Sequence, residues 1–170
     1  DIEGHLERLR EVFQRLRAAG LKLKPSKCFI LQRQVTFLGH VVTDEGIMTD
    51  PQKIQAVREW PEPTCVREVR AFVGLASYYR RFVRGFAEIA APLHRLTKKN
   101  ARFTWGTEEQ SAFERLEQAL TEAPVLVTPD DDSPYILATD ASNHSMGAVL
   151  SMVVNGEERV VAYASSVLTM

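Results

Sequence analysis

The pair Asn155-Gly156, which separates two runs of strand-forming residues, constrains the fold of this chain most strongly. The runs cover residues 147–154 and 159–164. An Asn-Gly pair between such runs favours a two-residue turn with positive φ at both positions, which joins neighbouring antiparallel strands. A third run, 135–139, precedes them. The last part of the chain is therefore predicted to form three antiparallel strands.

Upstream of residue 124 the apolar residues have mostly helical spacing. Apolar spacing together with helix-start and helix-stop residues predicts helices over about 3–19, 51–60 and 107–123, a helix from 65 to about 79 or 81, and one or two short helices over 87–96. Asp50-Pro51 is typical of a helix start, because Asp can cap a helix and Pro tolerates its first position. Two strands, 27–31 and 35–42, are expected to form a hairpin after the first helix. The predicted fold class is therefore mixed α+β.

Charge is distributed unevenly along the chain. Residues 1–100 contain 18 Lys/Arg against 11 Asp/Glu, a net charge of +7, whereas residues 101–170 contain 3 against 11, a net charge of −8. A basic half suits a polyanionic partner, and an acidic half does not. The alternative is chance segregation of charge in a soluble protein.

The cysteines and the hydropathy pattern indicate the compartment. Cys28 and Cys65 lack CxxC spacing, so they indicate neither a zinc site nor a disulfide framework, and both are expected to be free thiols. No apolar run approaches 18 residues, so no membrane span is predicted. The charged N-terminus does not match a signal peptide. We therefore expect an intracellular location, in the cytoplasm or the nucleus, rather than secretion.

The predicted helix 65–81 has two distinct faces. One face is apolar and suits packing on neighbouring helices. The other carries residues at steps of three, four, four and three: Arg67, Arg70, Gly74, Tyr78 and Arg81. This face offers cations for phosphates, an aromatic ring for a base or sugar, and a glycine where a nucleic-acid backbone could approach closely. The alternative is a solvated basic face on which Gly74 serves helix packing.

Three short strings occur in a fixed order along the chain. They are Phe37-Leu-Gly-His40, Leu75-Ala-Ser-Tyr-Tyr-Arg-Arg-Phe82 and Ala162-Tyr-Ala-Ser165. In this order they resemble the polymerase polyprotein of gypsy-type long-terminal-repeat retrotransposons, and more broadly the retroviral-type reverse transcriptases. The resemblance covers essentially the whole chain. It implies a fragment of an RNA-directed DNA polymerase that is joined to an RNase H domain.

The resemblance also implies a domain layout. Residues 1–48 resemble the end of the polymerase palm, with a helix and a hairpin, and residues 49–100 resemble the helical thumb. Residues 101–130 resemble the connecting segment, and residues 131–170 resemble the truncated N-terminal part of an RNase H domain.

Within this layout, two groups of residues match nucleic-acid contacts of the family. Phe37, Leu38, Gly39 and His40 match the primer grip, a hairpin that positions the primer terminus. Gly74 and Tyr78 match the thumb-helix positions that contact the minor groove. Without the resemblance, residues 37–40 would be interpreted as a plain buried strand with a glycine bulge.

Asp140 follows the predicted strand 135–139 and is the candidate catalytic carboxylate. The resemblance matches it to the first acid of the RNase H set, which holds two divalent ions, usually Mg²⁺. One carboxylate cannot complete such a site, and the family's other acids lie on later elements. We therefore expect Mg²⁺ to serve the complete parent enzyme and not to bind tightly to this chain. Taken alone, Asp140 would be a strand-end or capping residue.

Other polar residues are not expected to complete the metal site. The run 130–132 is predicted to be a solvated turn before Ser133-Pro134, and His144 is predicted to be a loop histidine.

The function that the resemblance implies is binding of a primer/template duplex or an RNA–DNA hybrid, with no turnover by this chain alone. The remainder of the polymerase polyprotein is the other expected partner. The alternative is a domesticated retroelement protein that acts as a non-catalytic interaction module.

Overall fold

The computed structural model describes residues 2–130 and 132–168. The chain divides into two compact units, Asp1–Arg33 and Gln34–Met170. In the described residues the elements comprise five α-helices and six β-strands, in agreement with the predicted α+β class. No helix in these residues is both long enough and apolar enough to cross a membrane.

The first unit consists of helix α1 (Ile2–Ala18) and a short 3₁₀ turn (Pro25–Lys27). The helix agrees with the predicted range, and Gly20 follows its end with a φ of 70°. The predicted strand 27–31 is wrong. Hydrogen bonds from Lys27 N to Lys24 O and from Cys28 N to Pro25 O close the turn instead, and strand propensity forms no sheet without a pairing partner.

The second unit begins with a small antiparallel sheet of three strands in the order β1 (Val35–Phe37), β2 (His40–Val42) and β3 (Ile47–Thr49). The prediction of one strand over 35–42 is wrong. Leu38 and Gly39 have φ values of 47° and 68°, so they form a two-residue turn in which Phe37 pairs with His40. Positive φ at both central residues gives the twist that such hairpins need.

Four helices follow, namely α2 (Pro51–Arg58), α3 (Val66–Tyr78), α4 (Phe86–Leu96) and α5 (Thr107–Thr121). The Asp50 carboxylate accepts a hydrogen bond from Gln52 N at 2.9 Å and caps α2 as predicted. Helix α3 ends at Tyr78, and a separate 3₁₀ turn covers Arg80–Phe82.

The helices enclose the main hydrophobic core. Its centre is aromatic: the Phe72 ring lies 4.5 Å from that of Phe113 and 5.8 Å from that of Trp60, between ring centroids. Leu93, Leu116 and Leu120 are fully buried around these rings. Packed aromatic and leucine side chains of this kind supply most of the free energy that holds helices together.

The second sheet has the order β4 (Tyr135–Ala141), β5 (Ser145–Val154) and β6 (Glu157–Val167), with antiparallel pairing throughout. Asn155 and Gly156 have φ values of 55° and 83°, which confirms the predicted hairpin turn. The Ser165 hydroxyl accepts a hydrogen bond from Ala87 N at 2.9 Å, so strand β6 supplies the cap that Gly85 cannot give to α4.

Candidate nucleic-acid interface

Helix α3 separates its buried and exposed residues as the periodicity predicts. Its buried side is formed by Val69, Phe72, Val73 and Ala76. Its exposed side is formed by Arg67, Arg70, Gly74 and Tyr78, which we call the α3 stripe. The stripe is thus available to a ligand, while the opposite side fixes the helix on the core.

The first turn of α3 is held by Glu68. Its carboxylate accepts hydrogen bonds from Thr64 N at 2.8 Å and from Thr64 Oγ1 at 2.9 Å. These two bonds hold the pKa of Glu68 below its ordinary value. The arrangement satisfies a backbone donor near the helix start and orients the turn that carries Arg67.

Neither arginine of the α3 stripe forms an ion pair with a carboxylate of the described residues. Arg70 Nη2 donates to the carbonyl oxygen of Thr97 at 3.1 Å, which is a neutral partner. The ion pairs in the described part of the chain are Arg15–Glu11 and Arg95–Glu108, and neither involves this stripe. Both guanidinium groups can therefore attract phosphate.

Gly74 lies on an open part of the helix surface. A Cβ atom added there would have no neighbouring heavy atom within 4 Å. Helix packing therefore does not require glycine at this position. Its effect is to lower the local surface of α3, between the arginines and Tyr78.

The Leu38-Gly39 turn extends the surface beyond the end of α3. The Phe37 and Leu38 side chains are 62% and 69% exposed, and Tyr78 is 50% exposed. The Tyr78 hydroxyl donates to the carbonyl oxygen of Leu38. Two exposed apolar side chains thus adjoin the aromatic end of the stripe, where a plain buried strand would have hidden them.

An aromatic cluster lies behind the turn. The His40 ring centroid is 5.2 Å from that of Tyr78, 5.5 Å from that of Tyr79 and 5.7 Å from that of Phe82. The hydroxyl of Tyr79 donates to the Gly39 carbonyl oxygen at 2.6 Å. Tyr79 was not among the predicted site residues, although the adjacent Tyr78-Tyr79 pair at a predicted helix end is visible in the sequence.

Burial raises the pKa of the Tyr79 phenol, and the neighbouring Asp50 carboxylate and Tyr78 raise it further. Each of these effects disfavours the phenolate. Tyr79 is therefore a protonated hydrogen-bond donor throughout the neutral pH range.

Arg81 does not lie on the α3 stripe. It belongs to the 3₁₀ turn, is half-buried, and donates from Nη2 to the carbonyl oxygen of Val161 at 3.3 Å. Its Nε atom is buried without a hydrogen-bond partner among residues 2–130 and 132–168. The prediction that Arg81 lies on the α3 stripe is wrong because α3 ends at Tyr78. Arg81 lies in the 3₁₀ turn that follows, where successive side chains are rotated by a different angle from those of an α-helix.

Asp140 is exposed on β4, where it pairs with Gly147 of β5. Arg84 and Glu88, at the start of α4, line the same cleft as this carboxylate. Within the described residues, no group of three or more His, Cys, Asp or Glu side chains could hold a metal ion. Mg²⁺ needs several oxygen ligands in octahedral geometry, so the residues present do not form a catalytic metal site.

The acidic turn before β4 has a structural role. Asp130 Oδ1 accepts hydrogen bonds from Ser133 N at 2.6 Å and from Asp132 N at 2.9 Å. The bonds from Ser133 are the main cause that holds the pKa of Asp130 below its ordinary value. Asp131 lies outside the described residues. His144 is exposed in the loop between β4 and β5, as predicted.

Residues 105–170 match the family described as the RNase H-like domain found in reverse transcriptase. Over 164 residues, 96% of this chain, it is 42% identical to a retrovirus-related Pol polyprotein from transposon 412 of Drosophila melanogaster. The corresponding polyprotein from transposon gypsy of the same organism is 36% identical over 159 residues. The chain spans 13% and 15% of these two relatives. The predicted resemblance to retroelement polymerases is thereby confirmed.

Solved structures agree with the sequence comparison. A foamy viral protease-reverse transcriptase in complex with double-stranded DNA matches 99% of this chain with a TM-score of 0.83 and 29% identity, over 30% of its own length. The same viral protein in complex with RNA/DNA hybrid matches with a TM-score of 0.81, over 23% of its length. These matches confirm the mixed α+β fold.

Proposed function

Because residues 105–170 belong to the RNase H-like family found in reverse transcriptase, and because the whole chain is homologous to part of retroelement Pol polyproteins, we propose that it binds nucleic-acid duplexes. The ligand is a primer/template duplex or an RNA–DNA hybrid. The polymerase and ribonuclease activities belong to the complete parent enzyme, whose remaining segments are the second partner.

The observation that carries this proposal is the continuous exposed surface formed by the α3 stripe and the Leu38-Gly39 turn. From Arg67 to Tyr78 the stripe rises about 16 Å along the helix axis, at 1.5 Å per residue. That length corresponds to roughly five base pairs of duplex at 3.4 Å each. The surface is therefore long enough to follow one groove of a duplex.

Each part of this surface has a distinct chemical role. Arg67 and Arg70 neutralise phosphates, which supplies affinity without regard to base sequence. Gly74 lets the sugar-phosphate backbone approach the helix. The Tyr78 ring and the exposed Phe37 and Leu38 side chains pack on sugars and bases near a strand terminus.

Asp140 contributes to metal binding only when the other acids of a complete RNase H domain are present. Two-metal hydrolysis needs several carboxylates around both ions. This chain alone therefore binds a hybrid without cleaving it. Duplexes bound by the structurally similar viral protein support binding as the function, whereas no observation favours the alternative of a protein-interaction module.

A charge-reversal experiment tests the proposal. Arg70→Glu is expected to weaken binding of a 20-base-pair RNA–DNA hybrid by more than about tenfold, because it replaces a phosphate contact with repulsion. Arg115→Glu is the matched control, since Arg115 is exposed on α5 and away from the α3 stripe. It is expected to change the affinity by less than about twofold. Fluorescence anisotropy of labelled hybrid measures both.

Salt dependence provides the second arm of this test. Two phosphate contacts predict a slope near −2 for the logarithm of affinity against the logarithm of salt concentration, or about tenfold between 50 and 200 mM salt. An affinity that does not change with salt, or equal losses in Arg70→Glu and Arg115→Glu, would contradict the proposed function.

A further inference from the structure

Two adjacent tyrosines at the end of α3 both donate hydrogen bonds to the turn that lies forty residues earlier in the chain. Tyr78 donates to the carbonyl oxygen of Leu38, and Tyr79 donates to that of Gly39. The two side chains differ in exposure: Tyr78 is half-exposed, whereas Tyr79 is fully buried. Only Tyr78 can touch a ligand.

The carbonyl group of Gly39 is fully occupied. It accepts the Tyr79 hydroxyl at 2.6 Å and also the backbone N–H of Asp50, the cap residue of α2, at 3.2 Å. A carbonyl oxygen has two lone pairs. Tyr79 thus closes a network that ties the turn to the end of α3 and to the start of α2.

The turn needs such support because its backbone conformation is unfavourable. Leu38 has a φ of 47°, a conformation that residues with a side chain rarely adopt. Strained backbone of this kind persists only where surrounding contacts determine it. The hydroxyl groups of Tyr78 and Tyr79 supply those contacts, and the His40 ring packs against both tyrosine rings.

Gly39 is matched to the same network. A Cβ atom added to Gly39 would lie 3.2 Å from the Tyr79 hydroxyl oxygen and 3.4 Å from Tyr78 Cε1. The turn therefore approaches the tyrosines as closely as a glycine permits.

From these contacts we infer that Tyr79 is a positioning residue for the duplex-binding surface. Its buried hydroxyl holds the Leu38-Gly39 turn against α3, so that Phe37, Leu38 and the α3 stripe form one surface before any duplex arrives. This role rests on the proposed function and adds to it, because it assigns part of the affinity to a residue that the duplex never touches. Preorganisation of a binding surface reduces the entropy lost on binding.

Tyr79→Phe tests the inference, because it removes the hydroxyl and keeps the buried ring. Affinity for the 20-base-pair RNA–DNA hybrid is expected to fall about three- to tenfold, the fold-change equivalent to one hydrogen bond. Tyr135→Phe is the matched control. The Tyr135 hydroxyl also donates to a backbone carbonyl, that of Asp130, at 2.6 Å, but on β4. The control is expected to change the affinity by less than about twofold.

Two readouts separate positioning from general stability. Amide hydrogen exchange at Gly39 and His40 is expected to accelerate in Tyr79→Phe and to stay unchanged in Tyr135→Phe. In a Phe37→Ala, Leu38→Ala background, Tyr79→Phe is expected to have no further effect on affinity, since the turn then has no large side chains to position.

The outcomes distinguish the inference from the proposed function. If the parent chain does not bind the hybrid, the proposed function fails. If, in addition, amide exchange at Gly39 and His40 is the same in Tyr79→Phe as in the parent chain, the role of the hydroxyl in holding the turn is overturned as well. If the parent binds and Tyr79→Phe binds equally well, the positioning role is overturned while the proposed function stands. If Tyr79→Phe lowers the affinity by the same factor in the double-alanine background, the hydroxyl has a structural role alone. That outcome also overturns the inference.

Discussion

Helix α3 and strand β4 carry the two groups of candidate functional residues, and they differ in how their neighbours hold them. One side of α3 is buried in an aromatic core, and its exposed side is tied to the Leu38-Gly39 turn. Strand β4 is exposed at every residue, and Leu137 is 65% exposed. The residues of the α3 stripe are thus fixed relative to one another, whereas Asp140 belongs to no group of three or more potential metal ligands in the described chain. Burial of one face of α3 therefore keeps the opposite face in a defined arrangement, a constraint that the exposed strand β4 lacks.

The largest expected contrast is in stability. Phe72→Ala removes a fully buried ring that contacts Phe113 and Trp60, and is expected to lower the free energy of unfolding by about 3–5 kcal/mol. Leu137→Ala on β4 is expected to change it by less than about 0.5 kcal/mol, because that side chain is largely exposed already. Urea denaturation followed by circular dichroism measures both. Equal losses would remove the contrast between the two regions.

Two glycines give the next contrast. Gly39→Ala is expected to destabilise the chain by about 1–2 kcal/mol, since the φ of 68° disfavours a side chain and the Tyr79 hydroxyl would have to move. Gly147→Ala, opposite Asp140 on β5, meets no atom within 4 Å. It is expected to be neutral within about 0.5 kcal/mol. Thermal unfolding of the two variants compares them, and a neutral Gly39→Ala would contradict the account of the turn.

Gly74→Ala separates stability from binding on the α3 stripe. In an exposed helix interior this change is expected to raise the free energy of unfolding by about 0.5–1 kcal/mol, because alanine favours the helix more than glycine does. The added methyl group lies on the proposed duplex surface, so hybrid affinity is expected to fall on the order of fivefold. This fold-change corresponds to a loss of about 1 kcal/mol in binding free energy. Denaturation and anisotropy are measured on the same sample. If the variant is stabilised and its affinity is unchanged, the hybrid does not bind at Gly74.

The pH dependence near Glu68 is a smaller effect. Its pKa is lower in the folded chain than the ordinary 4.5 because Thr64 donates to the carboxylate. Its contribution to stability is therefore present above pH 4.5 and is lost as the pH falls through the folded-state value. Glu68→Gln is expected to flatten the stability profile in that acidic window. Asp130→Asn provides the counterpart at the start of the β4 region, since Ser133 lowers the Asp130 pKa in the same way. A profile that Glu68→Gln leaves unchanged would contradict the capping role.

The smallest expected effect is that of Asp140→Asn. Because one carboxylate does not form a two-metal site, the variant and the parent chain are expected to give the same heat on titration with Mg²⁺. Neither is expected to cleave an RNA–DNA hybrid. Mg²⁺-dependent cleavage that disappears in Asp140→Asn would show that this region holds a catalytic centre after all.

Much of the α3 stripe could be predicted from spacing because a helix repeats every 3.6 residues. Arg67, Arg70, Gly74 and Tyr78 share an exposed face as expected. Arg81 does not, since nothing in the local sequence fixed where α3 ends. The predicted domain boundaries at residues 48, 100 and 130, and the contacts of each site residue with nucleic acid, stay predictions.

The strand predictions before residue 43 failed for a related reason. Both runs, 27–31 and 35–42, were predicted as strands, yet the first forms no strand and follows directly on a 3₁₀ turn that ends at Lys27, and the second is divided by Leu38-Gly39. Strand formation depends on a pairing partner and on the side chains that cover the turn. In the second case the covering side chains come from Tyr78 and Tyr79, which lie forty residues away.

The sequence by itself determined the approximate positions of the helices, the Asn155-Gly156 hairpin and the amphipathic character of α3, because these depend on neighbours within a few residues. Tertiary structure alone decided the position of the Leu38-Gly39 turn, the burial of Tyr79 and the diversion of Arg81 to β6. Each of the latter three features depends on hydrogen bonds between segments that are distant in the sequence. These bonds stabilise the chain only when the core between the segments has formed.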